Sequence, residues 1–296
     1  MKIAIFNSLL FHYEMFAYIL DYCKQRNIIV DCYSEQKADL GWLSFYKKKY
    51  KINDLNILYF NPSQYNYIFL ITDYDPGYKN YWKYKESNVI VIEHSGKIHI
   101  NLPAYSYIQT RQFSLSNLST WCIPLWNNQF FKKKNHLTVC CIGCDPSKEN
   151  LQLIFSNFTS IQFYIVGRYR TIRTQYNEPN ICVIKNIDTI TLLELVGQSH
   201  YILFTPVSSY HIENKDTMMT GSIPLGYSVG TPILMPESYG KSYGFPGIVL
   251  YSNSKIHLRP MPDTDYKIFI NHRMELLKRR DSIFNSLLID VISTTQ

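Results

Sequence analysis

A strand–helix–strand pattern that runs, breaks and starts again constrains this fold more than any other feature. Residues 2–6, KIAIF, form a short apolar strand. In FHYEMFAYILDYCK (11–24) apolar residues recur at helical spacing, and IIVDCYS (28–34) follows as a second strand. Such a unit with short connections is the signature of parallel α/β structure. INDLNILYF (52–60), YNYIFLIT (65–72), SNVIVIEHS (87–95) and YSYIQTRQF (105–113) supply further strands. They are rich in Ile, Val, Tyr and Phe on both faces, which suits a sheet covered by helices on each side.

Between Trp121 and His136 the pattern breaks: WCIPLWNNQFFKKKNH has a proline, two asparagines in a row and a lysine run, the composition of an interdomain connection. It then restarts. LTVCCIG is a strand, SKENLQLIFSNF a helix, IQFYIVG and NICVIKNI strands. TITLLELVGQS is a helix with Thr189 or Thr191 near its N-cap. YILFTP is a strand, GSIPLGYSVG a helix and TPILMP a strand, and a last amphipathic helix spans about 264–292. No fixed-period repeat is present; the architecture recurs, as two α/β units. The expected organisation is a domain over 1–125, a second over 137–263, and a C-terminal helix over 264–296 packing back toward the first.

At 296 residues the chain can bury one large core or two of ordinary size. No apolar run approaches the ~20 residues that span a bilayer, and His12 and Glu14 interrupt the apolar start. The chain therefore reads as soluble and unexported, a cytoplasmic protein. Its seven cysteines are odd in number and sit mostly inside predicted elements, which fits reduced, buried thiols. In CCIGC, Cys140 and Cys141 lie on a strand and point to opposite faces, so a metal cluster there is discounted. The net charge of +7 gathers partly in YKKKYK (46–51) and KKK (132–134), which read as solvated loops before they read as anion-attracting surfaces. Abundant Tyr, Asn, Ile and Lys follow AT-rich codons and suggest a viral or phage source.

Asp73-Tyr74-Asp75 closes an apolar run, and two carboxylates so spaced can hold a divalent metal. Pro76-Gly77 directly after them is a standard turn pair, and the turn reading prevails: no metal and no other cofactor is expected.

Two Rossmann-like halves joined by a linker describe the GT-B glycosyltransferases, and the second half resembles their donor domain in detail. In VCCIGCDPSKENLQLIFSNF, Gly143 and Lys148 match the strand, glycine loop and helix-starting lysine of that superfamily. Cys144 stands where an arginine is usual, and Glu149 separates Lys148 from Asn150. FYIVGR resembles the strand ending in Gly before the nucleotide. TGSIPLGYSVGTPILMP resembles the next helix and strand; Gly230, Pro232 and Ile233 match, and Leu225 replaces the usual glutamate.

The resemblance implies an α/β protein of two Rossmann-like domains facing a cleft, a metal-independent transferase that moves a sugar from a nucleotide-sugar donor to an acceptor hydroxyl of a glycan or glycoprotein. Its lysine, glycine and proline pattern belongs to the retaining branch; the missing glutamate leaves the stereochemistry open. On the donor side, a glycine loop entering a helix offers free N–H groups and a positive dipole end to a diphosphate. Gly143, Gly221, Ser222 and Ile223 are the candidates for that role, with Lys148, Arg168 or Arg170 neutralising phosphate. On the acceptor side, Asn7 and Ser8 follow the first strand, and Glu93 and His94 follow VIVI. A His or carboxylate there can take the acceptor's proton, or His94 simply caps its strand and bonds to backbone. The competing functions are transfer to a DNA base, prompted by the charge, and a degenerate module that binds without reacting, prompted by Cys144 and Leu225.

Overall fold

The computed structural model describes residues 1–9, 12–35, 41–72, 88–94, 106–110, 120–127, 134–167, 172–204, 221–240, 243, 245–252 and 255–288. The chain divides into two compact units. The first takes residues up to Trp126 and the chain from Leu276 onward; the second takes the described residues from Asn127 to Glu275.

In the first unit β1 (Ile3–Asn7), β2 (Val30–Ser34), β3 (Ile52–Asn56), β4 (Tyr67–Leu70), β5 (Val89–Glu93) and β6 (Ser106–Gln109) form a six-stranded sheet in the order β3-β2-β1-β4-β5-β6. Every pairing is parallel. The central strands β1, β2, β4 and β5 are buried along their whole length, as expected where helices cover both faces. Helix α1 (Phe16–Gln25) returns the chain from β1 to β2, and α2 (Trp42–Lys49) from β2 to β3. On one face Phe6, Tyr33, Phe60 and Tyr65 pack with Ile68, Leu70, Val89 and Val91.

The second unit repeats this plan. Strands β7 (Thr138–Ile142), β8 (Gln162–Gly167), β9 (Ile181–Lys185), β10 (Tyr201–Leu203), β11 (Ile233–Pro236) and β12 (Ile248–Tyr251) lie in the order β12-β11-β10-β7-β8-β9, again all parallel. Numbered within their own units, the two sheets share one order, 3-2-1-4-5-6, that of the doubly wound dinucleotide-binding fold. The connections carry α3 (Lys148–Ile154), α4 (Thr189–Gln198), α5 (Ser222–Val229) and the single turn α6 (Glu237–Gly240). Gly226 shows how closely α5 sits on its sheet: a Cβ there would lie 2.7 Å from the Thr231 carbonyl oxygen and 3.0 Å from Ile202 Cδ1.

The last helix, α7 (Asp263–Leu288), gives residues to both units. Its buried stripe is Phe269, Arg273, Leu276, Leu277, Arg280, Phe284 and Leu288, a helical spacing with two arginines in it. In the second unit Arg273 donates to the carbonyls of Tyr227 (2.5 Å) and Ser228 (3.0 Å), the open end of α5, which Gly230 closes in the left-handed region. In the first unit Phe284 packs on Tyr18, Tyr22 and Phe69.

Several expectations need correction. The lysines of YKKKYK are not in a loop: Lys47, Lys48 and Lys49 form the last turn of α2, where cations favour the helix dipole, and Lys47 pairs with Asp54 at 2.8 Å. Helix α4 does start at Thr189, and the cap itself is Asp188, whose carboxylate accepts from the backbone of Ile190 and Thr191 and from the Thr191 hydroxyl. Cys182 is exposed on edge strand β9, unlike the other six cysteines, which are buried. INDLNILYF is a strand only to Asn56 and then a 3₁₀ turn, because the Asn56 side chain accepts from Leu58 N–H and caps it. Strand β12 escaped the sequence pattern, since only Tyr251 of its four residues is fully buried.

Candidate functional site

In an open α/β sheet, ligands bind beyond the carboxyl ends of the strands, at the point where strand order reverses. That point lies between β1 and β4 in the first unit and between β7 and β10 in the second.

The carboxyl edge of the first sheet is lined with buried polar residues: Asn7, Ser34, Thr72, Glu93, Gln109 and Thr110. The middles of the same strands are apolar. Asn7 is fully buried, and its Oδ1 accepts from the backbone of Leu9, turning the chain off β1; Ser8 beside it is half-buried. Glu93 is fully buried as well, and His94 is half-buried. The His94 ring bridges two strand ends. Its Nε2 is 2.6 Å from the Ile71 carbonyl oxygen, an acceptor, so Nε2 carries the hydrogen and the Nδ1 lone pair is left bare. His12, held in the left-handed region at φ 68°, stacks on it with ring centroids 4.4 Å apart. Burial, then the neighbouring His12, pushes the His94 pKa down to about 3, so the ring is neutral at physiological pH. Of the two expectations for His94, the bond to backbone is present, and it fixes the tautomer of the neutral ring. Sequence reasoning passed over His12, whose only signal is a histidine in the first strand–helix loop.

At the carboxyl edge of the second sheet, Gly143 follows β7 at φ 67°, a conformation that favours glycine, and its N–H donates to the Val166 carbonyl. Ser147 then caps α3 by accepting from Asn150 N–H. Lys148 opens that helix, with its side chain 42% exposed, and its ammonium is held 2.7 Å from Glu178 Oε1. The lysine expected to neutralise phosphate therefore has a carboxylate partner here, and Glu178 raises its pKa. Gly221 and Ser222 begin α5, whose N-terminus has no side-chain cap, and Ile223 behind them is fully buried. Arg168 and Arg170 lie outside the described residues, as do Asp73, Asp75, Pro76 and Gly77.

The residue that organises this edge is Asp145. Its Oδ2 accepts from the backbone N–H groups of Arg173 and Thr174 and from the Thr174 hydroxyl, each at 2.8 Å; its Oδ1 accepts from the Tyr176 hydroxyl at 2.7 Å. One carboxylate thus ties the β7–α3 loop to the segment beyond β8. Hydrogen bonds from Tyr176, Thr174 and Arg173 outweigh its partial burial and hold its pKa below the usual value. Nothing in the sequence marks it, because its partners are some thirty positions away. A carboxylate with a lowered folded-state pKa stabilises above the unfolded value and loses that contribution as pH falls through the folded one. Asp145→Asn is therefore expected to lower stability by about 1.5 kcal/mol at pH 7, the low end for hydrogen bonds to a charged group. The difference from wild type should shrink in urea titrations as pH falls below the unfolded carboxylate's value of about 3.9, and a pH-independent difference would refute the assignment.

No protein-family model and no curated protein sequence matches the chain. Solved structures do. A glycosyltransferase from Rickettsia africae superposes with a TM-score of 0.59 at 9% identity, over 97% of this chain and 98% of that one. HepE of Anabaena, solved in complex with UDP and glucose, gives 0.54 at 10% identity, over 99% and 100%. The β-glucosyltransferase of phage T4 gives 0.52 at 11% identity, over 97% and 99%. The fold is that of the GT-B glycosyltransferases. The match runs through both units. Among the described residues no helix is long and apolar enough to cross a membrane, and no three His, Cys, Asp or Glu residues gather as a metal site.

Proposed function

We propose that this chain is a glycosyltransferase that transfers a sugar from a nucleoside diphosphate sugar to an acceptor hydroxyl. The observation that carries the reading is the correspondence, over nearly the whole length of both chains, with glycosyltransferases solved with UDP or UDP-glucose. The carboxyl edge of the second sheet holds the nucleotide. There the uncapped start of α5 at Gly221 and Ser222 turns N–H groups and a positive dipole end toward phosphate, and the Gly143 turn lets a ligand approach backbone. Lys148 meets the diphosphate by exchanging its Glu178 partner for phosphate oxygens, and Arg168 and Arg170 are the further cations that the sequence offers for it. The carboxyl edge of the first sheet receives the acceptor, with Ser8 and His94 toward its hydroxyl and Asn7 and Glu93 behind them. Charge on the leaving diphosphate is neutralised by side chains and backbone, without a divalent metal.

Calorimetric titration with UDP, then with other nucleoside diphosphates, tests this reading. Lys148→Ala is expected to weaken diphosphate affinity by roughly 10- to 100-fold, since a hydrogen bond to a charged group is worth ~1.5–3 kcal/mol, while affinity for the nucleoside alone stays nearly constant. Glu178→Gln should do the opposite and tighten the diphosphate, because the lysine no longer leaves a carboxylate to bind it. Absence of binding by any nucleoside diphosphate would overturn the proposal; equal affinities in the three proteins would remove Lys148 from the site.

A second acceptor class has its own observation: the match to a DNA-modifying β-glucosyltransferase together with a net charge of +7. DNA binding whose affinity falls steeply with salt would favour a base as acceptor.

A further inference from the structure

The first unit has a second concave site, at the end of its sheet away from the carboxyl edge. Helices α1 and α2 both finish there, just before β2 and β3 begin. The cavity has a volume of about 320 Å³ and is lined by Lys24, Lys48, Lys49 and Lys51 around Asn27, Ile28 and Tyr50. The strands between it and the carboxyl edge are five residues long, so roughly 16 Å separates the two.

Lysines in the last turn of a helix are ordinarily explained by the helix dipole. Here three further observations point to a ligand. First, the four lysines line one cavity, Lys24, Lys48 and Lys51 being themselves exposed. Second, backbone already serves three of the carbonyls at the two helix ends: Asn27 N–H donates to Lys24, Ile28 N–H to Cys23, and Tyr50 N–H to Tyr46. Third, the ammonium groups of Lys24, Lys48 and Lys51 form no ion pair or hydrogen bond among the described residues, whereas Lys47, one position outside the cavity, is paired with Asp54. The wall is the ring of buried Tyr50, with the Lys24 and Lys49 ammoniums 5.7 and 5.5 Å from its centroid. Four like charges around one small cavity repel one another, and a multivalent anion seated between them removes that repulsion. Lysines act as point charges without a planar fork, so they suit a compact phosphate cluster more than a single carboxylate.

We infer that this cavity binds a phosphate-bearing anion, either a free oligophosphate or the phosphate headgroup of an anionic lipid. The site is independent of the proposed donor and acceptor edges and does not rest on the glycosyl-transfer reading.

The test uses the full chain and a triple variant, Lys24→Gln with Lys48→Gln and Lys51→Gln. Two probes are applied at low salt: sodium tripolyphosphate by calorimetry, and co-sedimentation with vesicles of phosphatidylglycerol and phosphatidylcholine against vesicles of phosphatidylcholine alone. At least one probe is expected to bind the wild type, with affinity falling at least tenfold in the variant and falling with added salt. Binding of tripolyphosphate alone identifies a soluble anion, and binding of the charged vesicles alone a headgroup. In the wild type, the bound probe should also protect Lys24, Lys48 and Lys51 from acetylation while exposed Lys267 reacts unchanged. No binding of either probe, equal affinity in variant and wild type, or no protection of these lysines would overturn the inference.

Discussion

His94→Gln is expected to slow glycosyl transfer by at least about 100-fold, the lower end of what a positioned proton acceptor contributes. Geometry decides here before basicity does. The Ile71 carbonyl takes the Nε2 hydrogen, so the bare nitrogen is Nδ1, and the His12 ring stacked at 4.4 Å fixes the plane in which it points. A histidine with a pKa near 3 is a weak base, which is why the low end of the range applies, but its lone pair is available at every working pH. Glutamine keeps an N–H for the Ile71 carbonyl, so the variant should fold, and its affinity for the donor diphosphate should equal that of wild type. The pH–rate profile of wild type should show no limb near pH 6.5 from this residue. Stability gives a readout independent of turnover. Above pH 6.5 the ring is neutral both folded and unfolded; as pH falls from 6.5 toward 3 the unfolded chain binds the proton first, so wild type loses up to ~1.4 kcal/mol per pH unit that the glutamine variant keeps. Unchanged turnover in His94→Gln, with donor affinity intact, would remove His94 from the reaction.

Much of the fold was legible because a parallel sheet writes itself into local sequence. KIAIF, YIFL and VIVIE are apolar on both faces, and α1 announces itself by spacing; no longer-range information is needed to place them. What escaped was what depends on a partner far along the chain. The YKKKYK lysines read as a loop because their helix is anchored by only Trp42, Leu43 and Tyr46, too few apolar residues for the period to show. Strand β12 lies at a sheet edge, where one neighbour suffices and the pattern weakens. The geometry of the candidate site was legible in its glycines and not in its carboxylates. Gly143 and Gly230 stand where backbone needs a positive φ, a demand that only the local chain sets. Asp145 and Glu178 matter through partners 28 to 31 and 30 positions away, and Lys148 could be seen as a cation but not as one already held.

Arg280 is the sharpest case of this blindness, and replacing it carries the largest expected loss of stability. On a helical wheel it falls in the apolar stripe of α7 between Leu277 and Phe284, where an arginine looks misplaced. Its side chain is 1% exposed. Its Nη1 lies 3.0 Å from Asp21 Oδ2 on α1 and donates to the carbonyls of Leu125 at 2.9 Å and Tyr18 at 3.3 Å; its Nη2 lies 2.7 Å from Asp281. Removing the guanidinium takes the cation from a carboxylate that is itself only 10% exposed, and a donor from the buried Leu125 carbonyl. Breaking a buried pair from one side costs about 3–5 kcal/mol, so Arg280→Ala should lower the melting temperature by roughly 6–20 °C. Arg280→Lys should recover little, because one ammonium on a flexible stem cannot reach Asp21, Asp281 and two carbonyls together. Arg280→Met combined with Asp21→Asn should be more stable than Arg280→Met alone, since the second change neutralises the stranded charge. Thermal and urea unfolding of the four variants measure this directly. A cost below about 1 kcal/mol for Arg280→Ala, or a double variant no better than the single one, would mean that Asp21 reaches water when its partner leaves, and that packing around Phe284 holds this end of the helix without the pair.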